Sequence, residues 1–171
     1  MKQFFILLSM FIGCAVFAQQ IEVEQAKTDL TFLSEQIKIY NPALAEYHPE
    51  FEALVAEEMA GLPAEGISVF DYYTKVSQIC ALAGEGHFSV QDWENDILKG
   101  IMDNTYAYLP VKVKIISGKL YLVGDYSDEQ SLNGGDEILS INGIPTEEIL
   151  NRLIEVTPSD GTITTFAFRK I

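Results

Sequence analysis

The spacing of apolar residues changes part-way along the chain, and this change constrains the fold more than any other feature. Up to about residue 90, apolar residues recur at steps of three and four, the spacing of one face of an α-helix. Beyond about residue 106 they alternate with polar residues, the spacing of a β-strand with one buried face. The pattern therefore predicts an α+β fold, a small N-terminal helical bundle followed by a β-rich domain with one or two helices.

Three amphipathic helices are predicted in the first part. Their apolar stripes are Ala26, Leu30, Leu33 and Ile37; Phe51, Leu54, Val55, Met59 and Leu62; and Val69, Tyr72, Tyr73, Val76, Ile79 and Cys80. The first helix should end at Asn41–Pro42, because proline disfavours a helical conformation in the residue before it. Pro49–Glu50 suits the start of the second, with Glu52, Glu57 and Glu58 facing water. Ser68 and Asp71 predict an N-cap for the third, which should end near Gly84.

The second part predicts a hairpin, a further strand, a tight turn and a helix. The alternating run is Val111, Lys112, Val113, Lys114 and Ile115, after which Ser117–Gly118 turns the chain into a strand from Leu120 to Val123. Glu137–Ile141 is the next predicted strand and ends on Asn142–Gly143, which accepts the positive φ angles of a tight turn. The helix that follows should bury Ile149, Leu150, Leu153 and Ile154, and Thr162–Phe168 is the last predicted strand.

The N-terminus is typical of a cleavable secretory signal peptide. Lys2 provides the positive start, Phe4–Phe17 the apolar run, and Val16–Ala18 the residues that a signal peptidase reads. We expect an exported protein, periplasmic or extracellular, that begins near Gln19. A lipid anchor on Cys14 is the alternative.

These patterns divide the chain into four segments. Residues 1–18 are the predicted signal peptide, 19–92 the helical domain, 93–105 a linker, and 106–171 the β-rich domain. No later stretch is long and apolar enough to predict a membrane span.

Composition excludes several classes of partner. The 25 acidic and 11 basic residues give a net charge of −14, so we expect neither nucleic acid nor an anionic membrane as a partner. If the signal peptide is removed, Cys80 is the one cysteine left, which excludes an internal disulfide. Its place in a helical apolar stripe predicts a core residue.

The two histidines are the main candidates for chemistry. Neither has cysteine or histidine partners at zinc-ligand spacing, so no metal and no other cofactor is predicted. His48 precedes a helix start, where a surface or capping role is expected. His87 lies in the segment Gly84–Val90 between a helix end and a short β-like run, which suits either a structural histidine or a general base.

Several segments together resemble a known family. Asp29–Leu33, Tyr40–Pro42, Gly84–His87 and Leu109–Val111 are similar to the start of secreted tail-specific and tricorn-like serine peptidases. Gly135–Pro145 resembles the PDZ-type signature of that family. The resemblance implies that residues from about Tyr106 form a PDZ-like domain that binds a peptide or unfolded protein, with its groove beside the Ile149–Ile154 helix.

The resemblance also implies a role for His87. In the tricorn-like branch a histidine of this segment is the base for a serine in a later core domain, whereas the tail-specific branch uses a serine and a lysine, both from the later domain. The family's αβ core and its serine do not occur up to Ile171. We therefore expect the N-terminal part of an exported peptidase that is inactive alone. The alternative is an exported, non-enzymatic peptide-binding module.

Overall fold

The structure, a computed structural model, describes residues 20–90, 99, 102–103, 108–161, 163 and 168. Within these residues the fold is α+β, with helices in the N-terminal part and small antiparallel sheets in the C-terminal part. The change in apolar spacing therefore predicted the fold class correctly. The predicted signal peptide, most of the linker and most of the strand Thr162–Phe168 lie outside the described residues.

Four helices form in residues 20–90: α1 Val23–Tyr40, α2 Leu44–Tyr47, α3 Phe51–Ala60 and α4 Val69–Leu82. The three predicted helices correspond to α1, α3 and α4, and α1 stops at Asn41 as expected. The Ser68 Oγ accepts a hydrogen bond from the Asp71 amide at 3.1 Å, which confirms the predicted N-cap of α4. The single-turn helix α2 was not predicted, because four residues are too few to show a period.

The side chains of α1, α3 and α4 meet in one apolar core. Its largest fully buried members are Phe51, Leu30, Ile37 and Ile79. Cys80 is buried as predicted, and burial raises the pKa of its thiol to about 11. Glu58 was expected to face water but is half-buried, since it forms an ion pair with Lys75 of α4.

A two-stranded sheet ties the starts of α1 and α4 together. Strand β1, Gln20–Ile21, pairs in antiparallel fashion with β2, Ile67–Ser68. Neither strand was predicted, because a two-residue strand carries no alternation and its pairing depends on a partner far along the chain.

The predicted hairpin is present as β3, Val111–Ile116, and β4, Lys119–Asp125. Ser117 and Gly118 connect them with φ angles of 52° and 75°, as the dipeptide predicted. Leu120 and Leu122 are buried on the inner face of the sheet. Strand β5, Glu137–Ile138, pairs with the other edge of β4, so the order is β3-β4-β5.

The prediction of one continuous strand from Glu137 to Ile141 was wrong. The chain leaves β4 at Leu139, and Ser140–Ile141 instead forms β6, which pairs with β7, Ile144–Pro145. Leu139 is 72% exposed at this change of partner. Asn142 and Gly143 close the β6–β7 turn at φ angles of 52° and 81°, as predicted.

Helix α5, Thr146–Glu155, follows β7 and buries Leu150. Ile149 and Ile154 are half-buried, whereas Leu153 is 36% exposed, so its predicted place on the buried side was wrong. Among the described helices, none has both the length and the apolar character needed to cross a membrane.

Candidate functional site

The histidine loop, Gly84–His87, directly follows α4 and is held against α2. Gly84 has a φ angle of +60°, and a Cβ there would lie 1.9 Å from the His48 Nε2. Only glycine therefore fits at this position. His48 is the C-cap residue of α2, and its side chain is 21% exposed. His48 does not cap the helix that follows it, because Glu50 is the N-cap residue of α3, and its imidazole packs over the histidine loop instead of lying at the surface.

Two hydrogen bonds join the histidine loop to the segment after α5. The Gly86 amide donates to the Asp160 Oδ1 at 2.8 Å, and the Gly161 amide donates to the Gly84 carbonyl at 2.9 Å. Gly86 and Asp160 are 74 positions apart in sequence. The loop is therefore one place where the described helical part and the C-terminal part meet.

His87 is oriented by its neighbour Glu85. The His87 Nδ1 lies 2.6 Å from the Glu85 Oε1, and the His87 backbone amide donates to the same oxygen at 3.0 Å. The hydrogen bond from the imidazole is the main reason why the pKa of Glu85 is lowered. The His87 side chain is 92% exposed. An imidazole held at Nδ1 by a carboxylate has the arrangement of a general base, with Nε2 available to a substrate or nucleophile.

No described hydroxyl group completes this arrangement. Among residues 20–90 and 108–161, no serine or threonine side chain hydrogen-bonds to the His87 imidazole. The nearest serine in sequence, Ser89, donates its backbone amide to the His87 carbonyl. Within the described residues, the His87 imidazole therefore has no hydroxyl partner.

The same loop brings together three groups with metal-ligand chemistry. Ligand atoms of Glu85, His87 and Asp160 all lie within 4.8 Å of one another. Two carboxylates and an imidazole suit a divalent cation. In this structure Glu85 hydrogen-bonds to His87, and Asp160 accepts a hydrogen bond from the Gly86 amide. The predicted absence of a metal stays a prediction. Nothing in the sequence pointed to Asp160, because its neighbours in space are distant in sequence.

One edge of the three-stranded sheet is open in the described structure. Strand β3 pairs with β4 on one side and with no described strand on the other. The other outer strand of the sheet, β5, is only two residues long, and Thr146 hydrogen-bonds at its end. The Thr146 Oγ1 donates to the Ile138 carbonyl, and the Thr146 amide donates to the Leu139 carbonyl at 3.0 Å.

A cleft separates α5 from the end of the sheet near the β3–β4 turn. Its volume is about 480 Å³, and Leu120, Ile138 and Ile154 are among the apolar residues that line it. The predicted peptide groove beside α5 corresponds to this cleft. No β3 residue is among the residues that line it, so the cleft and the open strand edge are two separate features.

Comparison with protein families identifies the strand-rich part. The PDZ domain family matches residues 105–169. This part of the chain is a PDZ domain. Comparison of the whole chain with curated proteins and with solved structures found no match.

The family match bears on two of the sequence predictions. The segment Gly135–Pro145, which suggested a PDZ-like fold, lies inside the matched residues and supplies β5, β6 and β7. Asp160 also lies inside them, so the PDZ domain itself contacts the histidine loop. The match does not extend to His87, whose predicted role as a general base stays a prediction.

Proposed function

We propose that the PDZ domain binds extended peptides by adding them as a strand to the open edge of β3. PDZ domains are peptide-binding modules, and strand addition is their usual mode of recognition. The observation that carries the proposal is the contrast between the two edges. Strand β5 is only two residues long and Thr146 hydrogen-bonds at its end, whereas the outer edge of β3 is six residues long and has no described strand partner.

Strand addition explains how such an edge selects ligands. Backbone hydrogen bonds supply affinity without regard to sequence, and alternate side chains of the ligand face opposite sides of the sheet. Val113 and Ile115 are half-buried on the inner face of β3. A ligand residue on that face therefore gains apolar contacts.

The experiment is a titration of the purified protein against an array of ten-residue peptides with free or amidated C-termini. The peptides that bind are then remade in two forms, with N-methyl groups on alternate residues in either register. Strand addition needs the N–H groups that face β3, so one register should lose binding and the other should keep it. Equal binding by both forms would contradict strand addition, and no binding by any peptide would contradict the peptide-binding role.

The geometry of His87 favours a second candidate function. We propose that the chain is the N-terminal part of an exported tail-specific or tricorn-like serine peptidase, in which His87 is the general base for a serine supplied by another domain. The supporting observation is the Glu85 carboxylate at 2.6 Å from the Nδ1 of an exposed imidazole.

This candidate predicts that the protein alone does not hydrolyse peptides, because a base contributes ~10²- to 10⁴-fold only when it has a positioned partner. The assay uses unstructured peptides and a serine-reactive fluorophosphonate, with His87→Ala as the control. Turnover or labelling that disappears in the control would show a complete site within this chain. Export is tested separately, by mass spectrometry of the mature N-terminus expected near Gln19.

A further inference from the structure

We infer that the open edge of β3 selects peptides that carry acidic residues at alternate positions. This inference rests on the proposed strand addition and names the class of ligand. It follows from two lysines of β3, Lys112 and Lys114, and from the charge of the rest of the protein.

Most basic residues in the ranges 20–90 and 108–161 have an acidic partner. These ranges hold seven lysine and arginine residues, of which five form ion pairs, in a chain whose net charge is −14. In residues 20–90 and 108–161 the paired basic residues are Lys27, Lys38, Lys75, Lys119 and Arg152. Lys112 and Lys114 are exposed and form no ion pair with a described residue. The unpaired positive charge in these ranges is therefore concentrated on one strand.

The geometry of the strand places these two charges on the same face of β3. Lys112 and Lys114 are two positions apart, so both side chains are on the outer face of β3, whereas Val113 and Ile115 are on the inner face. A peptide paired with β3 would place every second side chain beside a lysine. Opposite charges on neighbouring strands stabilise pairing, and like charges oppose it. The expected ligand alternates acidic with apolar residues.

Lysines on an edge strand also have a purely protective role, since they discourage pairing with other sheets. The two roles predict different behaviour. A protective edge repels any added strand, whereas a binding edge discriminates among strands by charge.

The test uses three octapeptides in which valine alternates with glutamate, glutamine or lysine. The glutamate peptide should bind about 3- to 10-fold more tightly than the glutamine peptide, and the lysine peptide should bind most weakly. The difference should shrink when salt rises from about 0.05 to 0.5 M, because exposed charges are then screened.

Reversing the charges of Lys112 and Lys114 tests whether these two lysines cause the preference for acidic peptides. The double variant Lys112→Glu and Lys114→Glu should prefer the lysine peptide. The control, Lys27→Glu and Lys38→Glu, makes the same change of net charge on α1 and should leave the preference intact. If the reversed variant does not fold, as judged by circular dichroism, Lys112→Gln with Lys114→Gln should abolish the preference instead.

The possible outcomes separate the two proposals. Equal binding of all three peptides would overturn the acidic preference but support strand addition. If none of the three peptides binds and the array also yields no ligand, the proposed function itself fails. A preference that survives the double variant would also overturn the inference, because it would arise elsewhere on the molecule.

Discussion

The helical part and the PDZ domain differ in how their apolar residues are used. In residues 20–90, large side chains from three helices form one core from which water is excluded. In the described part of the PDZ domain, the buried apolar side chains are Leu120, Leu122, Leu150 and Pro158. Exposed apolar residues are common there and include Val123, Tyr126, Leu132 and Leu139. The described apolar residues of the helical part are therefore used mainly in a core, whereas more of those in the PDZ domain lie at the surface.

The largest expected effect is in the helical core. Phe51→Ala should lower the free energy of unfolding by about 3 to 5 kcal/mol, because it leaves a cavity among α1, α3 and α4. Leu122→Ala in the PDZ domain should cost less, about 2 to 3 kcal/mol. Urea denaturation followed by circular dichroism measures both. The exposed Phe70→Ala is the control, with a change within about 0.5 kcal/mol. If Leu122→Ala lowered the free energy of unfolding more than Phe51→Ala, the proposed difference between the two parts would be wrong.

The shielding of the Cys80 thiol from water can be tested by measuring the free energy of unfolding at alkaline pH. The pKa of the Cys80 thiol is 9.0 in an unperturbed group and about 11 in the folded protein. Between these values the unfolded chain has lost the proton that the folded protein keeps, so stability should fall as pH rises. The expected loss is about 2 to 3 kcal/mol between about pH 9 and pH 11.

The control for this measurement is Cys80→Ala, which keeps every other titrating group. Its stability should fall less steeply over the same pH range. Identical slopes for the two proteins would show that the thiol is not shielded from water.

The junction between the two parts should respond to Gly84→Ala. The added Cβ meets the His48 imidazole at a positive φ angle, so we expect a loss of about 1 to 3 kcal/mol. Gly118→Ala is the matched control, because Gly118 also has a positive φ angle but has no atom within 4 Å of its Cβ position. Adding His48→Ala to Gly84→Ala should recover part of the loss. Simple additivity of the two changes would show that His48 does not pack on the loop.

The smallest expected effect is at one of the two hydrogen bonds between the histidine loop and the PDZ domain, the bond from the Gly86 amide to Asp160. Asp160→Ala removes the acceptor of the Gly86 amide and should cost about 1 kcal/mol. Hydrogen exchange at the Gly86 amide should accelerate, whereas exposed Asp128→Ala should leave it unchanged. Unchanged protection in Asp160→Ala would mean that other contacts of the loop, and not this hydrogen bond, protect the Gly86 amide.

The predicted elements show where sequence reasoning succeeds. The helices α1, α3 and α4 and the β3–β4 hairpin each depend on hydrogen bonds between residues close in sequence, so their apolar spacing and turn residues were visible. The histidine loop was singled out for the same reason, since its glycines and its position after a helix are local features. The exposure of His87 and its contact with Glu85 could not be read from spacing.

The sequence predictions that were wrong have a different cause. The strand expected at Glu137–Ile141 is divided because Leu139 lies where the chain changes from one pairing partner to another. The exposure of Leu153 depends on what packs against α5, which the helical pattern alone does not specify.

The sequence by itself therefore determined the four longer helices, the tight turns, the α+β class and the PDZ signature, because each is encoded within a few neighbouring residues. Only the tertiary structure decided the pairing of Gln20–Ile21 with Ile67–Ser68, the packing of His48 on Gly84, and the hydrogen bond from Gly86 to Asp160. These contacts join residues that are distant along the chain. Whether they form depends on how whole elements pack, and no local pattern specifies that arrangement.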